Sequence, residues 1–172
     1  IPLTGTNAEV LLGQWEFQLF GQHGACDTAD LLWLTRYILI RSAEAYGVSV
    51  SFHPKPLPKG DWNGSGCRVN FSSKFMRAPG GLSAVNEAVE KLSKKHDEHI
   101  ALYGAHNEQR LTGNHETCSI REFRYGVSDR GASIRIPMQT ANDGYGYLED
   151  RRPSADMDPY QACAILIETT CS

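Results

Sequence analysis

An amphipathic stretch over residues 82–102 most constrains how this chain can fold. Its apolar stripe recurs every three or four positions and comprises Leu82, Val85, Val89, Leu92 and His96. A helix with one apolar side must bury that side against a second layer, and Gly104 predicts its end. His96 and His99 could bind a metal from such a helix, but the ordinary amphipathic pattern favours a structural role. The sequence therefore predicts a layered domain.

The second layer is predicted to be a β-sheet. In residues 132–137, Ile134 and Ile136 alternate with polar neighbours, which is the period of a half-buried strand. Other strand candidates are residues 9–10, 15–19, 48–53, 68–72 and 147–150. Further helices are predicted at 30–46 and from Asp158-Pro159 onward, with a short one at the capping-box pattern 119–122. Together they predict one α+β domain with an antiparallel sheet and helices on one face.

Composition limits the classes of partner. The 172 residues are 41% hydrophobic, with a formal net charge of -3 and a pI near 6.1. Neither nucleic acid nor a membrane is predicted as a partner, because the chain lacks a basic excess and an apolar run of about 18 residues. Five scattered cysteines without a C-x-x-C pair favour reduced thiols in the cytoplasm. Because the chain starts at Ile1 and its last apolar pattern runs to the end, we expect a piece of a longer polypeptide.

Two glutamates near the beginning of the chain form a candidate metal site. If Leu12-Gly13 is a two-residue turn, Glu9 lies directly opposite Glu16, with the carboxylates about 5 Å apart. Like charges so placed need a neutralising cation, and carboxylate oxygens suit Mg²⁺ or Mn²⁺. The alternative is that the turn lies elsewhere and both glutamates are solvated.

A glycine-rich stretch at 62–72 is a candidate ligand loop. Gly64 and Gly66 flank a serine and permit close approach of the backbone, while Asn70 and Ser72 could point from one strand face at a phosphate or adenosine. A hairpin loop without a ligand would require the same Asn-Gly turn.

Five arginines are concentrated within about forty residues near glycine turns. They are Arg110, Arg130, Arg135, Arg151 and Arg152. Arg135 lies in a strand pattern, so we expect its guanidinium to meet a carboxylate or phosphate. Each arginine alone could form a structural ion pair, but the group favours an anion-binding site.

Together these stretches resemble the eukaryotic-type glutamine synthetases, and the fungal enzymes look closest. The similar segments are 5–18, 52–57, 61–72, 91–96, 110–117 and 144–159. The resemblance implies that residues 1–172 are part of the catalytic domain, without the amino-terminal domain and the start of the catalytic domain. It also implies a curved antiparallel sheet, and a homo-oligomer of stacked rings that shares each active site between subunits.

The resemblance further implies an ATP-dependent ligation of ammonia to glutamate through γ-glutamyl phosphate, with Mg²⁺ or Mn²⁺ as cofactor. By motif, the implied metal ligands are Glu9, Glu16 and Glu149, and the glutamate-binding residues are Asn63, Gly64, Arg110 and Arg151. The implied ATP-binding residues are Asn70, Ser72, Arg130, Arg135 and Tyr147. Arg130 and Arg135 would also stabilise the transferred phosphate, and Glu116 would take a proton from ammonium.

Two departures from the family pattern keep other functions open. Arg68 stands where the family has a histidine metal ligand, and arginine offers no lone pair. Residues 20–31 also differ and are one residue longer. The alternative is a catalytically impaired homologue that acts as a structural or regulatory subunit. A related ligase that uses another amine or acid is a third possibility.

Overall fold

The computed structural model describes residues 1–21 and 23–172. The strands are β1 (Leu3–Ala8), β2 (Trp15–Leu19), β3 (Val69–Phe71), β4 (Tyr125–Val127), β5 (Ile134–Ile136) and β6 (Leu148–Asp150). The helices are α1 (Ala25–Glu44), α2 (Leu82–Lys94), α3 (His96–Leu102), α4 (Met138–Asp143) and α5 (Pro159–Cys171), with a 3-10 turn at Asn107–Gln109. The predicted α+β class is confirmed.

The main sheet has the strand order β3-β6-β5-β4, while β1 and β2 form a separate antiparallel hairpin. Strands β3, β6 and β5 pair antiparallel, as predicted. Strand β4 was not predicted, and it runs parallel to β5 after a connection of only a few residues. This connection turns at Ser128, with φ 55°, and the Asp129 carboxylate accepts the Gly131 N–H at 2.8 Å. A short polar loop thus replaces the usual helical crossover.

One face of the main sheet is the wall of the hydrophobic core. The largest buried cluster comprises Met76, Val85, Ala88, Val89, Leu92, Ile134, Ile136, Leu148 and Leu166. The sheet residues in it alternate along their strands, and the others come mainly from α2 and α5. Each such side chain contributes about 1.5–3 kcal/mol when fully buried. Because the core takes alternate residues, the intervening ones lie on the opposite, polar face.

Several predicted boundaries differ from the structure. The helix predicted at 82–102 is divided at Lys95, whose φ of -116° and ψ of 25° are not helical. Helix α1 begins five residues earlier than predicted, after Gly24 with φ 110°. Residues 48–53 form no strand, and 119–122 form a turn instead of a helix. Helix α5 begins as predicted, because the Asp158 side chain accepts the Tyr160 N–H at 2.9 Å.

Three remaining expectations concern thiols, membranes and the altered segment 20–31. All five cysteines are free thiols, and burial raises the pKa of Cys67 to about 11. No helix within residues 1–21 and 23–172 is long and apolar enough to cross a membrane. In the altered segment, residues from Ala25 onward belong to α1, and Gln22 lies outside the described residues.

Candidate functional site

The polar face of the main sheet brings together residues that are far apart in sequence. Asn70 on β3 lies opposite Glu149 on β6, and Glu149 lies opposite Arg135 on β5, so these three form one row across the sheet. Alternation along the chain extends this face by further residues. The polar face therefore comprises Arg68, Asn70, Ser72, Arg135, Tyr147, Glu149 and Arg151.

A carboxylate shared by two arginines forms the centre of this face. Glu149 Oε2 lies 2.5 Å from Arg135 Nε and 3.2 Å from Arg151 Nη1, and the Glu149 side chain is 5% exposed. The Arg135 contact is close but is not directed as a hydrogen bond. In the described part of the chain, neither Arg135 Nε nor Arg151 Nε has a hydrogen-bond partner. Arg151 Nε, a buried donor without an acceptor, favours a further anion at this point, whereas Arg135 Nε is already occupied by Glu149.

Residues 114–117 form a strained loop at the edge of the polar face. His115 and Glu116 have φ angles of 52° and 58°, in the left-handed region that non-glycine residues rarely adopt. The Glu116 carboxylate lies 3.3 Å from Arg130 Nη1, and its backbone carbonyl accepts from Arg151 Nη2 at 3.3 Å. His115 Nε2 lies 2.8 Å from Asp61 Oδ1, a contact that the sequence did not predict. The predicted residues Glu116, Arg130 and Arg151 thus do come together.

Arg110 lies beneath the site as a buried support. Its Nη2 donates to the carbonyls of Arg151 at 3.1 Å and of Arg152 at 2.6 Å. Burial, followed by repulsion from Arg68 and Arg151, lowers the pKa of Arg110 to about 10. A Cβ at Gly64 would come within 2.5 Å of Arg110 Cγ, which explains the glycine there. The predicted pair of Gly64 and Arg110 is therefore in contact, with the partly buried Asn63 just before it.

The predicted register of the β1–β2 hairpin was wrong. Glu16 lies opposite Asn7, because the turn lies at residues 10–13 and Glu9 N–H bonds to the Gln14 carbonyl at 3.0 Å. Gly13 permits this longer turn with a φ of 78°. A shift of two residues still leaves Glu9 and Glu16 on one face, in diagonal positions about 7–8 Å apart by strand geometry. Glu16 Oε1 accepts from Gln18 Nε2 at 2.8 Å.

Arg68 joins this hairpin to the main sheet. Its Nη1 lies 3.3 Å from Glu16 Oε2, and the two side chains are 39% and 29% exposed. A second link runs from Gln14 Nε2 to Ser65 Oγ at 3.1 Å. The pKa of Arg151 is lowered, mainly by burial. The Glu149 carboxylate acts in the opposite direction, and the positive charge of Arg68 lowers the pKa further. Arg68 therefore belongs to the same electrostatic cluster as the predicted site residues.

The predicted metal ligands divide into two unlike groups. Glu9 and Glu16 lie on one face and are partly exposed, so water could complete a Mg²⁺ or Mn²⁺ shell there once Glu16 exchanges its contacts with Arg68 and Gln18. Glu149 does not fit a metal in the same way, because Oε2 already contacts two guanidinium groups and the nearby Arg68 has no lone pair. Within the described ranges, no three His, Cys, Asp or Glu side chains are grouped to hold a metal ion. Metal binding by Glu149 stays a prediction.

The residues predicted to bind the nucleotide lie at the other end of the polar face. Ser72 Oγ donates to the Gly146 carbonyl at 2.6 Å, which connects β3 to the segment before β6. Tyr147 N–H bonds to Thr140 Oγ1 at 3.2 Å, while Asn70 and Tyr147 are exposed at their side chains. Asn70, Ser72 and Tyr147 are therefore near one another, and Arg130 lies at the opposite edge with the strained loop.

A buried polar network beneath β6 was missed by the sequence analysis. Arg152 donates from Nε and Nη2 to Asp150 at 2.9 and 2.7 Å, and Tyr103 donates to the same carboxylate at 2.7 Å. His96 and His99 belong to this network, and all four of their ring nitrogens have partners within the protein. Arg152 therefore points away from the other four arginines. The alternation in Glu149-Asp150-Arg151-Arg152 could have revealed this division.

Nearly the whole chain is similar to known proteins. Residues 1–171 match the family model described as glutamine synthetase, catalytic domain. Similar curated proteins include the glutamine synthetases of Kluyveromyces lactis, 58% identical over 99% of this chain and 45% of the relative, and of Hebeloma cylindrosporum, 57% identical over 99% and 48%. A cryo-EM structure of Plasmodium falciparum glutamine synthetase matches with a TM-score of 0.68 at 20% identity, over 92% of this chain and 31% of that one. The chain spans about half the length of these curated relatives.

Proposed function

The chain belongs to the glutamine synthetase family, and we propose that the full-length protein ligates ammonia to the side-chain carboxylate of glutamate with conversion of ATP to ADP and phosphate. One observation carries the proposal, namely the continuous series of contacts on the polar face. It runs through Arg130, Glu116, Arg151, Glu149 and Arg135. Such a series can hold a carboxylate, a phosphate and a proton acceptor close together.

In the first chemical step, the glutamate side-chain oxygen attacks the γ-phosphorus of ATP, and ADP leaves. Arg135 and Arg130 stabilise the negative charge on the transferred phosphoryl oxygens, which is the largest requirement of this chemistry. A bound Mg²⁺ or Mn²⁺ near Glu9 and Glu16 would act as a Lewis acid. The product of this step is γ-glutamyl phosphate, which must be protected from water.

In the second step, Glu116 takes a proton from ammonium, the freed nitrogen attacks the acyl carbon, and phosphate leaves with the second proton that the nitrogen loses. Glu116 suits this role because its loop lies at the edge of the polar face and its carbonyl contacts Arg151. The half-exposed pair with Arg130 leaves the carboxylate free to rearrange when a substrate arrives.

Substrate binding follows from the same arrangement. Arg151 has an unpaired Nε and would hold glutamate, and Arg110 fixes the backbone of Arg151 beneath it. Asn63 and Gly64 would present the backbone to the amino end of glutamate. Asn70, Ser72 and Tyr147 would hold the nucleotide. A cytoplasmic homo-oligomer of stacked rings, with active sites shared between subunits, completes the proposal.

The test is ADP release by the full-length protein with Mg²⁺, ATP, glutamate and ammonium. We expect turnover to require both glutamate and ammonium. Glu116→Gln should lower kcat by about 100-fold or more, the usual contribution of a positioned base. Glu122→Gln is the matched control. Glu122 is an exposed residue six positions further along the chain, and its substitution removes the same charge. ADP release that does not depend on glutamate or ammonium would refute the proposal.

A catalytically impaired homologue is the second candidate, and it rests on Arg68, which contacts Glu16 and offers no lone pair to a metal. This candidate predicts that the full-length protein releases no ADP in the same assay and that Arg68→His restores turnover. Turnover by the unchanged protein would exclude it.

A further inference from the structure

Arg68 occupies a position where charges from three parts of the chain meet. It lies just before β3, its Nη1 is 3.3 Å from Glu16 on the hairpin, and its charge acts on Arg110 and Arg151. The Arg68 side chain is 39% exposed, so its guanidinium also borders solvent on the polar face. A guanidinium there carries a permanent positive charge at every accessible pH.

Around Arg68, guanidinium groups outnumber the carboxylates that contact them. The cluster contains four guanidinium groups and two carboxylates, which are Arg68, Arg110, Arg135, Arg151, Glu16 and Glu149. Both carboxylates are in contact with an arginine. A divalent ion placed between Glu16 and Glu149 would meet these guanidinium groups at short range and would gain no ligand from Arg68.

The excess of positive charge instead suits an anion. Among the described residues, Arg151 Nε is a buried donor without a hydrogen-bond partner, so part of the cluster's capacity for hydrogen bonding is unused, whereas Arg135 Nε already contacts Glu149 Oε2. Guanidinium groups bind phosphate oxygens through paired N–H donors, and several of them can neutralise a phosphate without a metal.

We propose that Arg68 is a built-in cation that takes the place of a divalent metal ion between Glu16 and Glu149. Each site then binds one divalent ion fewer than it would with a metal-ligating side chain at position 68, and it binds phosphate groups here without that ion. The inference deepens the proposed function and rests on its assignment of this face to the nucleotide and metal.

The first experiment counts Mn²⁺ bound per subunit of the full-length protein by equilibrium dialysis. We expect Arg68→His to bind one more Mn²⁺ per subunit than the unchanged protein. Arg41→His is the matched control, because Arg41 forms an exposed ion pair with Glu44 on α1, at 2.7 Å. It should leave the number unchanged. Equal numbers for the unchanged protein and for folded Arg68→His would overturn the inference.

A second measurement covers the case in which Arg68→His does not fold. Inorganic pyrophosphate is titrated by calorimetry in EDTA into the unchanged protein and Arg68→Gln. We expect binding without metal, and at least a tenfold weaker affinity for Arg68→Gln. No binding by the unchanged protein, or equal affinity for both, would overturn the inference.

These results are separate from turnover. An additional Mn²⁺ in Arg68→His without any ligase activity would support the role of Arg68 and refute the proposed function. Ligase activity with an unchanged Mn²⁺ number would do the reverse.

Discussion

Strand β6 and the residues after it carry two buried acid–arginine pairs with the same spacing, on opposite faces of the sheet. Asp150 and Arg152 face the interior, with side chains 0% and 1% exposed, and Arg152 also contacts His96 through Nη1 at 3.2 Å. Glu149 and Arg151 face the polar side, where both side chains are 5% exposed and Glu149 is shared with Arg135. Each side-chain nitrogen of Arg152 has a hydrogen-bond partner, while Arg151 Nε has none among the described residues.

The difference separates a structural ion pair from one that we propose to take part in substrate binding. Although burial alone would raise it, the Arg152 guanidinium holds the pKa of Asp150 below its ordinary value. The pair is fully buried, and removing one partner would cost much because the other charge would be left uncompensated. The polar pair is less completely bonded, which leaves it able to exchange a protein contact for a substrate. Chemical type and sequence spacing are the same, so the sheet face alone decides the role.

The largest expected effect is on the interior pair. Arg152→Met leaves Asp150 buried and without its cation, so we expect the free energy of unfolding to fall by about 3–5 kcal/mol. Urea unfolding of the full-length protein measures this. A loss below about 1 kcal/mol would mean that the interior pair is not structural, and the contrast with the polar pair would disappear.

The next effect is a pH dependence of the interior network. Burial, and then the positive charge of Arg152, lower the pKa of His99 to about 4. The unfolded chain binds this proton near pH 6.5, so stability is complete above that pH and decreases as pH falls toward 4, by up to about 3 kcal/mol. In urea unfolding, His99→Gln should be less stable than the unchanged protein at pH 7.5, with a smaller difference at pH 4.5. A difference independent of pH would contradict the role of His99.

A smaller effect is expected for the polar pair. Arg151→Met removes hydrogen bonds to Glu149 and to the Glu116 carbonyl, but Arg135 still neutralises Glu149. We expect a loss of about 1–2 kcal/mol in the free energy of unfolding. The kcat/KM for glutamate should fall far more, by about 100-fold. A stability loss equal to that of Arg152→Met would remove the distinction between the two pairs.

The smallest effect is expected at the edge of the polar face. Arg130 and Glu116 form a pair whose side chains are 66% and 49% exposed, so Arg130→Ala should change the free energy of unfolding by less than about 0.5 kcal/mol. Turnover should still decrease, because Arg130 is proposed to stabilise the transferred phosphate. Thermal unfolding and ADP release on the same sample measure both quantities. Unchanged turnover would remove Arg130 from the site.

Sequence periodicity predicted much of the main sheet and its polar face. The alternation around Ile134 correctly predicted that Arg135 lies on the polar face. The N-cap pattern Asp158-Pro159 correctly predicted where α5 begins. The prediction of the hairpin register was wrong because a four-residue turn and a two-residue turn both place Gly13 near the bend. Strand β4 was not predicted because it is short and lies at a sheet edge, where packing imposes little alternation of polar and apolar residues. Arg68, Arg130 and Arg135 contact carboxylates in distant segments, so local patterns carried no signal for those partners.

The pairing of Asn70 with Glu149 has a consequence for the order of folding. These two residues are directly opposite in the sheet but about eighty positions apart in the chain. Closing so long a loop carries an entropic cost before any contact rewards it, which makes such pairings slow. Strand β6 lies between β3 and β5 and is the last of the three to be synthesised. The row of Asn70, Glu149 and Arg135 therefore forms late, after the hairpin and the helices that precede β6 have left the ribosome.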